Sequence, residues 1–342
     1  MTAVRFAARM SIRECREIVA ACRPRLATAL PAALTLALAG ITACAPGHHG
    51  RYPVQAAYTR PGPYATATGT VTDATGKAIY DMFYPRHYAA LGFKSPIVTW
   101  GNGTTGRPAM VSTLLGHLAS YGFTVIASTS GWTGSGTQID AAAHYLAAQN
   151  TTAGSVFYHH LDVHKVAAAG HSQGAGGAVR AATHDPTLIT AVLTFSLPNT
   201  FWARPNPGCP TRPDCVPNPA ALTQPIFFIS THGPFDSFIA SPATERAFYA
   251  STTVHAALGI IRDSGGQTAD HNSIENTAYG GNPGGELGYA TAWLEYQLRG
   301  NTTAAGAFTG THPELVSNTN WPGSATKQSG SGLRTATGYP AR

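Results

Sequence analysis

The chain has 342 residues, 43% of them hydrophobic and only 11% charged. That balance specifies a folded chain with a large core and excludes extended disorder. The net charge of +6 does not describe a nucleic-acid binder. Arg5, Arg9, Arg13, Arg16, Arg23 and Arg25 crowd the first 25 residues, and without residues 1–43 the remainder is near +2 with no basic stripe.

The N-terminus reads as an export signal over residues 1–43. A basic region ends at Arg25 and an apolar run follows from Leu26 to Ala43. Ile41-Thr42-Ala43-Cys44 has the small residues and cysteine of a lipoprotein signal, so Cys44 is the expected lipidation site and membrane attachment would run through that lipid. Three alternatives stay open: cleavage after Ala45, an uncleaved anchor, and a natural start at Met10. Either processed form puts the protein outside the cytoplasm, secreted or in the cell envelope. In that setting Cys209 and Cys215, in a Pro-rich loop, are expected to form a local disulfide.

Residues 44–62 are polar and contain Gly and Pro, and read as a linker. The alternating stretches 64–71 and 78–84, parted by Asp73-Ala74-Thr75-Gly76, predict an antiparallel hairpin. Strands and helices then alternate. Strands are expected at 96–100, 123–127, 165–169, 188–195, 226–230 and 256–262; helices at 109–121, 139–148, 175–183, 242–250 and 287–298. This order implies an α/β fold, a mostly parallel sheet covered by helices on both faces, with the hairpin making it mixed. The catalytic domain is set at 63–302. Residues 303–342, rich in Gly, Thr and Ser, read as a tail that Trp321 could pin.

Gly170-His171-Ser172-Gln173-Gly174 matches G-x-S-x-G, a weak signal by itself. Its setting strengthens it: the apolar strand Val166-Ala167-Ala168-Ala169 leads in and a helix leads out, the strand–turn–helix of a nucleophile elbow. A serine nucleophile needs a base and an orienting acid, in the chain order Ser, acid, His. His271 lies beyond the last predicted strand and is the expected base; His232 is the runner-up. Asp236 follows strand 226–230 and is the expected acid, with Asp263 second. Asp270 is passed over because an adjacent residue rarely folds back onto the imidazole. The oxyanion needs two N–H donors. Gln173 N–H is one; the other is expected from Asn102, with Gly103 second.

Competing readings are weaker. Gly101-Asn102-Gly103-Thr104-Thr105-Gly106 also satisfies G-x-G-x-x-G, but the next strand ends Ser128-Thr129-Ser130 rather than in the acid a ribose would need. His159, His160 and His164 read as a solvated loop rather than a metal site. His171 is expected to line the cleft. Trp132, Phe201 and Trp202 are candidates for substrate contact or for core and lid positions. Neither metal nor organic cofactor is called for.

Over residues 62–300 the chain resembles the bacterial cutinase and polyester-hydrolase family and its chlorophyllase-like and dienelactone-hydrolase-like relatives. The resemblance rests on Val166–Gly177, on Phe235-Asp236-Ser237 followed by Phe248-Tyr249, on Ala269-Asp270-His271, and on Ala292-Trp293-Leu294. It implies an α/β-hydrolase fold and carries a triad onto Ser172, Asp236 and His271. Two departures concern substrate: Asn102 stands where polyester hydrolases usually place an aromatic residue, and Phe195-Ser196-Leu197-Pro198 lacks their tryptophan. The reading is therefore a monomeric serine carboxylic-ester hydrolase acting on a small or lipid-like ester. An acyltransferase with the same triad and a non-catalytic envelope protein are the alternatives.

Overall fold

A computed structural model describes residues 51–329 except 203–206, 208, 210 and 212–214. The export signal and Cys44 lie outside the described residues.

Nine strands form one sheet in the order β1-β2-β4-β3-β5-β6-β7-β8-β11. The hairpin is β1 (Thr66–Thr72) and β2 (Ala78–Pro85), and β2 joins β4 (Thr124–Ser128) antiparallel. From β4 onward the pairing is parallel through β3 (Ser95–Gly101), β5 (Leu161–His171), β6 (Ala191–Phe195), β7 (Ile226–Thr231) and β8 (Ala256–Ile261). Two-residue strands β9 (Asp263–Ser264) and β10 (Gln267–Thr268) make a small separate hairpin beyond β8.

The central strands are apolar on both sides, and their alternation feeds two cores. Val166 and Ala168 of β5, Ile226 and Phe228 of β7, and Leu258 of β8 enter one core. Ala167, Ala169, Phe227, Ile229 and Ala257 enter the other. This is the period-2 geometry of strands buried on both faces. Helices α3 (Thr137–Gln149), α4 (Gln173–His184) and α6 (Pro242–Ser251) cover the first core. Helices α1 (Pro53–Thr59), α2 (Ser112–Ser120) and α7 (Leu287–Arg299) cover the second. Each fully buried large side chain contributes roughly 1.5–3 kcal/mol of transfer free energy. A four-residue helix, α5 (Asp236–Ile239), starts just beyond β7.

Two expected segment readings change. Residues 44–62 are not a plain linker, because Val54 and Tyr58 are buried along α1. Nor is the C-terminal part through residue 329 a loose tail. It forms α8 (Thr302–Ala305), α9 (Glu314–Ser317) and β11 (Ala325–Lys327), which pairs antiparallel with β8. Phe308, Leu315 and Trp321 are fully buried, and Glu314 accepts from Val54 N at 2.7 Å and Gln55 N at 2.8 Å. The carboxylate thus caps the first turn of α1, whose N–H groups have no intrahelical acceptor. The two ends of the described chain are tied by one side chain.

Candidate active site

The strand ends gather the site. β5 runs to His171 and α4 starts at Gln173, so Ser172 alone makes the turn, at φ 53 and ψ −125. Its N–H donates to Phe195 O on β6 at 2.9 Å. Such a left-handed turn at a non-glycine residue costs of order 1–3 kcal/mol and holds the hydroxyl outward. The flanking glycines are set by close approach. A Cβ on Gly170 would lie 2.2 Å from Gly174 O, and one on Gly174 would lie 2.2 Å from Gly101 O. No side chain fits where β3, the elbow and α4 converge.

Ser172, His271 and Asp236 come together. His271 Nε2 lies 3.0 Å from Ser172 Oγ, and His271 Nδ1 lies 2.7 Å from Asp236 Oδ1. An ionised carboxylate can only accept, so Nδ1 carries the proton and the Nε2 lone pair faces the serine hydroxyl. Ser172 and His271 are buried, and Asp236 is fully so. The second carboxylate oxygen of Asp236 is also satisfied, accepting from Ser196 Oγ at 2.8 Å, Thr231 Oγ1 at 2.8 Å and Thr231 N at 3.2 Å. The runners-up lie elsewhere: His232 is exposed, and Asp263 pairs with Arg262 at 2.9 Å.

The environment separates the two neighbouring imidazoles. His171 is buried beside His271, with ring centroids 4.7 Å apart, and burial first, then the His271 charge, lowers its pKa to about 3. It is neutral, and its Nε2–H donates to His271 O at 2.9 Å. His171 is therefore a brace on the base rather than a second base. Two buried glutamates face the same region. Burial raises Glu245 well above the usual carboxylate range, with Asp236 adding to the effect, while its Oε1 accepts from Leu197 N at 2.7 Å. Glu286, raised to about 7 by burial, is bonded to Ser264 Oγ.

A cleft of about 580 Å³ opens over Ser172 and His271. Gly103, Gln173, Pro198, Trp202, Phe235, Glu275 and Tyr279 are among the residues lining it. The expected oxyanion residue Asn102 is not among them. It is 2% exposed, and its Nδ2 is bonded to Ser128 O at 2.5 Å and Ser130 O at 3.0 Å, while its Oδ1 accepts from Trp100 Nε1 at 3.2 Å. Asn102 clips the β3 loop to the end of β4. Gly103 faces Ser172: a Cβ there would lie 3.5 Å from Ser172 Cβ and 3.0 Å from His171 Nδ1. The same packing leaves Gly101 and Gly103 against the elbow and uses the end of β4 for the Asn102 clip.

Other residues singled out in the sequence have defined places. Cys209 and Cys215, the pair of the expected disulfide, are both buried. The turn brings both residues into one small buried cluster, but the Cys215 thiol is directed to Cys209 O at 3.2 Å and Thr211 O at 3.3 Å. Trp202 lines the cleft and Phe201 packs edge-on against it at 5.5 Å, whereas Trp132 is outside the lining. His160 stacks on Tyr88 at 4.9 Å, and the His159 and Tyr158 rings lie 3.9 Å apart, tilted by 47°. Sequence reasoning missed Ser196, Thr231 and Asp270. The first two are common residue types at strand ends, and only the sheet register turns them onto one carboxylate.

Residues 42–204 match the model of a family described as PET hydrolase-like. Cutinase cut1 of Thermobifida fusca is 32% identical over 174 residues, 48% of this chain and 52% of that protein. Cutinase est2 of Thermobifida alba is 31% identical over 116 residues, 32% of this chain and 36% of that protein. Fold and matches together place the chain in the α/β-hydrolase superfamily. Within it, the matched stretches are similar to the cutinase and polyester-hydrolase group. The matched stretch spans about half the length of the longer-matching curated relatives.

Proposed function

We propose that the protein is an exported serine carboxylic-ester hydrolase that works through an acyl-enzyme on Ser172. The observation that carries this reading is the unbroken chain Ser172–His271–Asp236, with contacts of 3.0 and 2.7 Å at the floor of an open cleft. His271 removes the hydroxyl proton as Ser172 Oγ attacks the ester carbonyl. It then returns that proton to the departing alkoxide as the alcohol leaves. Water, deprotonated by the same imidazole, attacks the acyl-enzyme; as the acyl–Oγ bond breaks and the acid leaves, His271 returns that proton to Ser172 Oγ. Asp236 holds the imidazole in the required tautomer and stabilises its cationic form.

The oxyanion is assigned to the backbone N–H groups of Gln173 and Gly103. Gln173 opens α4, so its N–H is free of an intrahelical acceptor and the helix N-terminus adds favourable potential. Gly103 is taken as the second donor because a Cβ there would lie 3.5 Å from Ser172 Cβ, with the Asn102 N–H as the alternative on the same loop.

The substrate class is an apolar ester. Trp202, Phe235 and Tyr279 line the cleft and are 47%, 51% and 48% exposed, so large aromatic surface is open to solvent at its mouth. These residues lie outside the two positions where the sequence departs from polyester hydrolases. Export rests on the leader 1–43, with Cys44 as the lipid acceptor in the lipoprotein form.

The test is hydrolysis of p-nitrophenyl esters from acetate to palmitate by the wild type and Ser172→Ala. Turnover by the wild type and its loss in the variant is the expected result. Equal rates would end the assignment. Added glycerol, with product analysis, separates hydrolysis from acyl transfer.

A further inference from the structure

The triad acid and base stand on different loops. Asp236 follows β7, while His271 comes 35 residues later, after β8 and the β9–β10 hairpin. Nothing in the chain connectivity holds those loops together at hydrogen-bond precision, yet a misplacement of about 1 Å can cost on the order of 100-fold in rate.

We propose that Asp270 is the positioning residue that staples the two loops. Its Oδ1 accepts from Asp236 N at 2.9 Å and from His271 N at 2.8 Å, and its Oδ2 accepts from Phe235 N at 3.1 Å. One carboxylate therefore binds the backbone of the acid, the backbone of the base and the residue before the acid. The staple is itself anchored: Asp270 N donates to Ser273 Oγ at 2.7 Å, and Ser273 N returns a bond to Asp270 O at 2.8 Å. Room is made for it by Gly233, where a Cβ would lie 2.4 Å from Asp270 Oδ1.

The chemistry selects a carboxylate. Phe235 N–H and Asp236 N–H open the short helix α5 and have no acceptor within it. Three converging N–H groups need an acceptor-only side chain with two oxygens, which only ionised Asp or Glu supplies. Asparagine retains one oxygen, enough for Asp236 and His271, but sets its amide N–H₂ against Phe235 N–H. The ranking of function is therefore Asp, then Asn, then Ala. The staple does not touch the reacting atoms. It acts by fixing the Asp236–His271 hydrogen bond, and its catalytic meaning rests on the triad reading above.

The experiment compares wild type, Asp270→Asn and Asp270→Ala. Active sites are titrated with a fluorophosphonate, kcat and KM are measured on p-nitrophenyl butyrate, and the far-downfield proton resonance of His271 Nδ1–H is recorded without substrate. Asp270→Ala should lose on the order of 100-fold in kcat per titrated site, with KM within about twofold and the downfield resonance lost. Asp270→Asn should fall between, with the resonance retained. In Asp270→Ala, a kcat within about twofold of wild type, or an unchanged resonance beside a reduced kcat, would overturn the staple. If Asp270→Ala does not fold, Asp270→Asn decides: reduced kcat at constant KM supports the staple, and wild-type kcat overturns it. Loss of the hydrolase reading would appear separately, as equal activity in Ser172→Ala, while the resonance would still judge the staple.

Discussion

Ser196 stands at the end of β6 with φ 50, and its hydroxyl donates to Oδ2 of Asp236 at 2.8 Å. The backbone accepts a conformation costing about 1–3 kcal/mol at a non-glycine residue, and that turn aims the hydroxyl at the carboxylate. With Thr231 on the same oxygen, Oδ1 is left for His271. Ser196, just beyond β6, and Ser172, just beyond β5, are thus strained residues at the ends of adjacent strands.

Replacing Ser196 with alanine removes one of three donors to Oδ2. A hydrogen bond to a charged group contributes about 1.5–3 kcal/mol, and Thr231 retains part of that stabilisation. The expected outcome is a kcat about tenfold lower with KM unchanged, read on a soluble p-nitrophenyl ester. An unchanged kcat would mean that Thr231 alone holds Asp236.

The pKa of His171 makes stability depend on pH in a defined window. In the unfolded chain its imidazole takes up a proton near its ordinary value of 6.5, but in the folded protein only near 3. The unfolded state binds more protons throughout that interval, so stability falls as pH drops below 6.5. His171→Gln removes this titration and leaves the shifts of Glu245 and Glu286 in place. Between pH 6.5 and 4 the wild type should lose on the order of 3 kcal/mol more than the variant in denaturant titrations. Parallel curves would refute the burial argument.

Gly174 and Gly176, two residues apart on α4, differ in the space around a Cβ and give a paired stability test. Gly174→Ala drives a Cβ to 2.2 Å from Gly101 O, whereas Gly176→Ala on the same helix meets only Pro217 Cγ, at 3.8 Å. The first should cost about 3 kcal/mol or more, because backbone on both sides must move. The second should stabilise by about 0.4–1 kcal/mol through the unfolded state. Thermal melts of the two variants should therefore move in opposite directions.

Trp202 presents its ring at the cleft mouth and donates its Nε1–H to Phe238 O at 3.0 Å. Trp202→Ala should leave p-nitrophenyl acetate turnover within about threefold, because that small acyl group fills little of the cleft. Release of soluble product from an insoluble aliphatic polyester film should fall by about tenfold or more, since an exposed aromatic anchor is worth about 2 kcal/mol. Equal losses on both substrates would place Trp202 in the catalytic geometry instead.

The framework was legible in the sequence because its signals are local. β1, β2 and the strands from β3 to β8 appear within a few residues of where alternation and apolar runs put them. Ser172, Asp236 and His271 follow from strand ends and chain order. The sequence names the oxyanion loop but not the place of the Asn102 side chain, which depends on reaching across to Ser128 at the end of β4 and to Ser130 just beyond it. Asp270 was passed over by asking whether it could reach its neighbour's imidazole. Its partners are main-chain N–H groups, including those of Phe235 and Asp236, more than thirty residues away. From sequence the C-terminal strap reads as a docked or loose tail, because Gly, Thr and Ser dominate it and Phe308, Leu315 and Trp321 are spaced too widely to register as an element.

The central claim is that Ser172 is a nucleophile activated by His271 and Asp236. The most direct measurement is intact-mass analysis after treatment with a fluorophosphonate, followed by peptide mapping. One phosphonyl adduct per chain, on the peptide carrying Ser172, is the predicted result, with no adduct on Ser172→Ala and much slower labelling of His271→Ala. Labelling of Ser172→Ala at the wild-type rate, or an adduct mapped to another residue, would contradict the account.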